Sequence, residues 1–291
     1  MFSFNRKKII YLVVGLLIVN LILLFYFLDD GKKIIENPEN LKIIFIDVGQ
    51  GDAALIRTTQ GQNILIDGGP DKGIIYKLDQ YIPFNRRVID LMILTHPDPD
   101  HLNGLIEVIK RYQVRRFIFN GVDDDSPNYY QFLKKIEEKK ITLEVVWQGK
   151  KIDFFGGYLE FLYPLESLAN KRFKNDNEAS LVFKLIVGRA RVLFMGDANK
   201  KVEAELLKKN FDLKSDILKV GHHGSNDSTG YDFLAKVRPV YAVISVSSNN
   251  KYGHPNLRVL KNLEMVDSQI LQTSQQGDII FEIDGLALIK N

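Results

Sequence analysis

The chain of 291 residues is 45% hydrophobic, carries 39 basic and 36 acidic residues, and has 21 glycines, 9 prolines and no cysteine. This composition excludes a disordered or fibrous protein and leaves length for one large core, while the missing cysteines exclude disulfides, thiolate ligands and a cysteine nucleophile. Without Arg6, Lys7 and Lys8 the rest of the chain balances at 36 basic against 36 acidic residues, so it offers nucleic acid no general attraction beyond a local patch.

Those three basic residues precede Ile9 to Leu28, an uncharged run whose one strongly polar member is Asn20. About 20 such residues cross the hydrocarbon core as a helix. The run closes on Phe25-Tyr26-Phe27-Leu28, too bulky for signal peptidase, and it shows no polar face suited to a buried core helix; an uncleaved transmembrane anchor is expected. Basic residues before the run and Asp29 and Asp30 after it predict a single-pass membrane protein, with 1–28 as cytoplasmic stub and anchor and the bulk of the chain extracytoplasmic. Residues 29–40 are polar and aperiodic and read as a tether, leaving 41–291 as the folded domain. No later stretch approaches spanning length, so the chain is not expected to conduct a polymer across a membrane by itself.

Within the domain, 42–48, 53–58 and 63–67 are aliphatic and β-branched runs punctuated by glycines, which predicts three strands joined by tight turns. A fourth strand, 90–95, is largely apolar and is therefore expected to be buried on both faces. Helical spacing appears at 102–112 and 129–140, after which strand, helix and strand alternate. The second half repeats this character: strands at 158–163, 180–187 and 191–195, a helix at 200–209, a strand at 217–220, a helix at 231–237, a strand at 241–246, a helix at 256–263, and closing strands at 269–272 and 278–283. Two sheet-rich halves with interleaved helices predict an α/β protein of two stacked sheets covered by helices.

All five histidines fall in three short motifs: Thr95-His96-Pro97-Asp98-Pro99-Asp100-His101, Gly221-His222-His223-Gly224-Ser225 and Gly253-His254-Pro255. Imidazoles and carboxylates at one- and two-residue spacing are the donors a transition metal takes. The first motif follows the strand 91–95, and its prolines are expected to hold off helical geometry until Leu102. The alternative duty for Asp98 or Asp100 is to cap the helix that follows.

His96-Pro97-Asp98-Pro99-Asp100-His101 resembles the H-x-[HD]-x-D-H signature of the metallo-β-lactamase fold superfamily. Asp98 in place of the second histidine is a departure that is typical of the hydrolase domain of ComEC-type competence proteins. Phe45 to Asp52, Leu65 to Gly69, Asn175 to Val182, Met195-Gly196-Asp197, Leu218 to Ser225 and Tyr252 to Pro255 agree with that likeness, in the same order along the chain. The resemblance implies an αββα sandwich of two mixed sheets flanked by helices, preceded here by the transmembrane helix. It implies one metal held by His96, Asp98 and Asp197, and a second held by Asp100, His101, Asp197 and a histidine of the 222–223 pair, with Asp197 bridging. His222 is the preferred ligand of that pair and His223 the residue that meets substrate oxygens, although sequence does not decide between them.

No histidine lies between His101 and His222, where many superfamily members complete the first metal site; Asn175 to Ser180 occupies that place, with Asn177 and Ser180 as candidate substrate contacts. Oxygen donors there raise the preference for Mn2+ relative to Zn2+, and two divalent ions of either kind are expected. Asp100 and His223 are candidate catalytic residues. His254 is expected to contact a phosphate or protonate a leaving group, and Ser225 to donate to an anion. Asp47 and Asp67 are expected to brace the metal loops, and Asp52 either braces or serves its turn alone. The implied activity is hydrolysis of a phosphodiester, with DNA as substrate and a separate membrane uptake channel as a possible partner. Lys171, Arg172, Lys174, Lys200 and Lys201 either track a DNA backbone or form a solvated face. The competing readings are hydrolysis of another surface ester, lactone or β-lactam, with the missing histidine counting against a zinc β-lactamase, and a non-catalytic metal-containing DNA-binding module.

Overall fold

The computed structural model describes residues 7, 11–21, 39–284 and 287–290. The chain divides into two units, Met1–Asn37 and Pro38–Asn291. In the first, residues 11–21 are helical with exposed apolar side chains. Among the described residues no helix is long and apolar enough to cross a membrane, and the rest of the expected 9–28 span lies outside them, as does 29–38 of the tether.

Seventeen short strands can be followed among the described residues of the second unit. The first eight are β1 (Leu41–Phe45), β2 (Ala54–Arg57), β3 (Asn63–Ile66), β4 (Val88–Ile89), β5 (Leu91–Ile93), β6 (Gln113–Val114), β7 (Arg116–Phe119) and β8 (Thr142–Val145). The remainder are β9 (Lys151–Phe154), β10 (Gly157–Tyr163), β11 (Val182–Val187), β12 (Ala190–Phe194), β13 (Ile217–Lys219), β14 (Tyr241–Ile244), β15 (Gln269–Gln272), β16 (Ile279–Asp284) and β17 (Ala287–Lys290). One sheet runs β17-β16-β1-β2-β3-β5-β7-β8, antiparallel as far as β3 and parallel beyond it. The other runs β15-β14-β13-β12-β11-β10-β9, parallel as far as β12 and antiparallel beyond it. Strands β4 and β6 form a small parallel pair.

Alternation along β1 shows how these sheets stack. Ile43 and Phe45 enter the core shared by both sheets, with Phe161, Phe183 and Phe194; the Phe183 and Phe194 rings stack at 5.0 Å. Ile44 faces the other way, into a second core closed by the helices Gly73–Tyr81, Pro99–Arg111 and Pro127–Glu138. The period of two side chains thus puts one buried set on each face of the strand. A third core lies under Lys200–Lys208, Tyr231–Val237 and Leu257–Glu264, on the outer face of the second sheet. The layers are helix, sheet, sheet, helix, as expected.

Two differences bear on function. The helix expected from Leu102 begins at Pro99, with Asp98 at its N-cap. Proline is suited to the first helical position, where its missing N–H has no partner to lose and its fixed φ is already helical. Asp100 and His101 therefore ride on the first helical turn rather than on a loop. The helix Gly73–Tyr81 was not expected, because nine residues supply too short a pattern.

That first turn is docked closely on the loop after β3. Gly68 N donates to His101 O at 2.8 Å and Gly104 N to Gly69 O at 2.9 Å. A Cβ on Gly104 would lie 1.8 Å from Gly68 O. Gly104→Ala is therefore expected to prise helix from loop and to lower stability by about 3 kcal/mol, read from urea unfolding; an unchanged midpoint would refute the close approach.

Candidate metal centre

Loops after the parallel strands β3, β5, β7, β12, β13 and β14 meet at one rim of the sandwich, where they deliver Asp67, His96, Asn120, Asp197, the twin histidines and Ser245. The C-terminal ends of parallel strands share one edge, so short loops from both sheets can converge there.

Asp67 organises the first half. Its Oδ1 accepts Thr95 N at 2.8 Å, and its Oδ2 accepts Thr95 Oγ1 at 2.8 Å and stands 2.9 Å from His101 Nδ1. Thr95 Oγ1 is also 3.0 Å from His96 Nδ1. His223 is fixed in the same way from the second half, with Nδ1 2.9 Å from Ser245 O and 3.2 Å from Asp52 Oδ1. With Nδ1 of each ring engaged as donor, the free lone pair is on Nε2. His96, His101 and His223 are all fully or almost fully buried, and none of the three Nε2 atoms has a hydrogen-bond partner among the described residues.

These atoms gather around Asp197, itself 2% exposed. Its Oδ1 lies 3.3 Å from His101 Nε2, and its Oδ2 lies 3.4 Å from His223 Nε2, 3.8 Å from His222 Nε2 and 3.9 Å from His96 Nε2. Asp98 Oδ2 is 3.5 Å from His96 Nε2, and Asp100 Oδ2 is 3.2 Å from His223 Nε2. Asp98 occupies the N-cap position without making a capping hydrogen bond; its carboxylate turns to His96 instead. Ligating atoms of His96, His101 and Asp197 all lie within 4.8 Å of one another, as do those of Asp100, His101 and His223. Buried imidazole nitrogens without partners, interleaved with carboxylate oxygens, fit divalent cations such as Zn2+ or Mn2+.

Burial alone would raise the Asp197 carboxyl and lower the His101 and His223 imidazoles. Their mutual attraction outweighs it, holding Asp197 well below the ordinary carboxylate range and both rings well above theirs. Asp52 is likewise held low against burial, by Lys219 and His223. Cations in the centre would take over the charge that these protons carry.

Of the twin histidines, His223, expected at the substrate, is the one buried with Nε2 aimed at Asp100 and Asp197. His222, expected to ligate, has a side chain 26% exposed and stands beside Asn177 Nδ2 at 3.3 Å. The loop that turns them is left-handed at His222 (φ 48°), His223 (φ 51°) and Gly224 (φ 79°) in succession, a backbone that non-glycine residues adopt at a cost. His254 stands beside them, its ring 5.6 Å from His222 and 6.5 Å from His223. Burial, then the charges of His222 and His223, push its imidazole down to about 4, so near pH 7 it is uncharged rather than a ready proton donor.

Other expected residues take different places. Ser180 is fully buried and accepts Asp197 N through Oγ at 3.1 Å, which orients the aspartate. Asn177 is 8% exposed, with an Oδ1 that has no partner among the described residues. Asp176 beside it is pushed up to about 6 by burial and by Asp98 and Asp124. Ser225 Oγ accepts Asp227 N, serving its own turn. Asp47 Oδ1 accepts Gly49 N, within its own turn. Asp52 braces His223 and pairs with buried Lys219 at 2.7 Å.

Sequence reasoning overlooked Thr95, Asn120 and Lys219. Asn120 donates to Ala179 O at 2.7 Å and ties the two halves together; a lysine inside the apolar strand Ile217 to Val220 was the legible signal for the third. Of the basic cluster, Lys171 pairs with Glu166, Arg172 with Asp123 and Asp125, and Lys201 with Glu178, as on a solvated face.

Residues 46–248 match the family model described as the metallo-beta-lactamase superfamily. ComE operon protein 3 of Bacillus subtilis is 30% identical over 256 residues, 82% of this chain and 32% of that protein. Competence protein ComA of Neisseria gonorrhoeae is 31% identical over 250 residues, 84% of this chain and 33% of that protein. The chain thus spans about a third of the length of these relatives. Among solved structures, the fold protein YhfI of Bacillus subtilis superposes with a TM-score of 0.58 at 13% identity, covering 84% of this chain and all of that one. CmlA of Streptomyces venezuelae, a diiron β-hydroxylase, gives 0.55 at 12% identity over 84% of this chain and 55% of that one. Such distant likenesses establish the shared fold and leave chemistry to the site.

Proposed function

The chain belongs to the metallo-beta-lactamase superfamily, and from that premise we propose a metal-dependent phosphodiesterase that acts on DNA. One observation carries the reading: three buried imidazoles present unpartnered Nε2 atoms around the single carboxylate of Asp197, with Asp98 and Asp100 beside them. His96, Asp98 and Asp197 would hold one cation and Asp100, His101, Asp197 and His223 a second, with His223 taking the place expected of His222. Bound cations supply Lewis acidity that stabilises negative charge on phosphoryl oxygens and eases deprotonation of a water. The chain's own part is positional. Asp67 and Thr95 hold His96 and His101, Ser245 and Asp52 hold His223, and Ser180 aims Asp197. His222, His254 and Asn177 line the mouth where a diester would enter.

DNA is favoured because the curated relatives are competence proteins of the ComEC type. The same likeness supports a role beside a separate DNA-uptake channel. The apolar run 9–28, with its basic residues before and acidic residues after, supports a single-pass anchor with the hydrolase domain outside the cell.

The test strips the full chain with EDTA, restores Mn2+ or Zn2+, and follows labelled DNA, RNA and a small nitrophenyl phosphodiester. Cleavage of DNA that vanishes with EDTA and returns with metal is expected; an inert, metal-restored protein would defeat the proposal. A further expectation concerns Asp67, which touches no open position yet fixes His101. Asp67→Asn should weaken Mn2+ binding about 10- to 100-fold by calorimetric titration, with the circular dichroism of the fold retained.

A further inference from the structure

Tyr252 is 59% exposed, yet it is held firmly. Asn250 Oδ1 accepts both Tyr252 N and His254 N, while Asn250 Nδ2 donates to Ser247 O and His254 O. Gly253 between the two rings has φ +69°, which allows the chain to turn there. The segment is docked on the histidine turn as well: Asn256 N donates to Gly224 O, and a Cβ on Gly224 would meet Pro255 Cβ at 2.7 Å. The backbone that carries this exposed aromatic ring is therefore fixed relative to the candidate metal centre.

The rings form a series. Tyr252 stacks on His254 with centroids 5.6 Å apart and planes 26° from parallel, and His254 in turn contacts His222 and His223. A planar group laid on the outer face of Tyr252 would extend this series directly beside the histidine cluster where the proposed reading puts the phosphate. Lys251 Nζ lies over the Tyr252 ring at 5.4 Å, on a side chain flexible enough to swing to a backbone phosphate. Charge alone would attract a polyanion weakly here, because the domain is neutral overall and Lys171, Arg172 and Lys201 are engaged by carboxylates.

We infer that Tyr252 is a stacking platform for an unpaired nucleobase next to the phosphate being cleaved, which rests on the phosphodiesterase reading for the identity of the neighbouring pocket. Every base has a π-face, so such a platform binds without regard to sequence. In a duplex the faces are covered by neighbouring pairs, so the platform favours single-stranded nucleic acid over double-stranded.

The test measures equilibrium binding of the full chain to a short single-stranded phosphorothioate oligodeoxynucleotide carrying 2-aminopurine, and to its counterpart with that base removed. The natural chain is expected to quench 2-aminopurine fluorescence and to bind the base-bearing strand about tenfold more tightly than the abasic one. Tyr252→Phe keeps both properties, since the ring remains. Tyr252→Ala loses both. Quenching and base preference that persist in Tyr252→Ala, or that are absent from the natural chain, overturn the inference. Binding is read without turnover, so a protein that cleaves no diester while showing the tyrosine-dependent quench sinks the catalytic reading and leaves the platform standing.

Discussion

Asp197→Ala is expected to reduce phosphodiester hydrolysis by at least about a thousandfold and to leave the purified protein without stoichiometric metal. Its two oxygens are the ones that face His96, His101, His222 and His223 at 3.3 to 3.9 Å, so on the proposed two-cation reading no neighbouring carboxylate would replace it. The magnitude follows from losing charge stabilisation at the reacting phosphate, where the removal of even one well-placed donor typically costs a hundred- to a thousandfold. Metal content by mass spectrometry and turnover of a small diester should fall together. Retention of both would place the centre elsewhere.

The twin histidines provide the second large effect, through their difference. His223→Ala is expected to lower metal affinity more than a hundredfold, because it removes a buried donor already oriented by Ser245 O and Asp52. It also leaves Asp52 and Asp100 with less compensation, which adds a loss of stability. His222→Ala should keep metal binding within a fewfold and lower turnover about tenfold, as a residue at the mouth does. Calorimetric titration with Mn2+ on both variants decides it, and equal losses of affinity would overturn the division.

The architecture was legible because burial imposes periodicity. Ile43, Ile44 and Phe45 alternate between two cores, and the apolar strand around Met92 announced burial on both faces. The group of residues that gathers around Asp197 was legible from its spacing and family likeness. What sequence could not fix were matters of direction: two adjacent histidines differ only in where a left-handed turn points them, and that turn depends on contacts with Gly196 O and Ser245 O. Pro99 misled in the other direction, since the same residue that breaks a helix interior is welcome at its first position. Asn120 and Thr95 work through backbone groups and short hydroxyl contacts that carry no periodic signal.

The donors come from both layers of the sandwich: His96, Asp98, Asp100 and His101 follow a strand of one sheet, Asp197 and His223 follow strands of the other. Neither half holds the full set alone, so capture of an ion by all of them would have to wait until the two layers have docked, and a captured ion would then act as a rivet across their seam. At a hundredfold excess over its dissociation constant, each rivet would add about 2.7 kcal/mol to resistance against unfolding. Scarcity of metal would thus be felt as a loosening of the whole sandwich as well as a loss of chemistry.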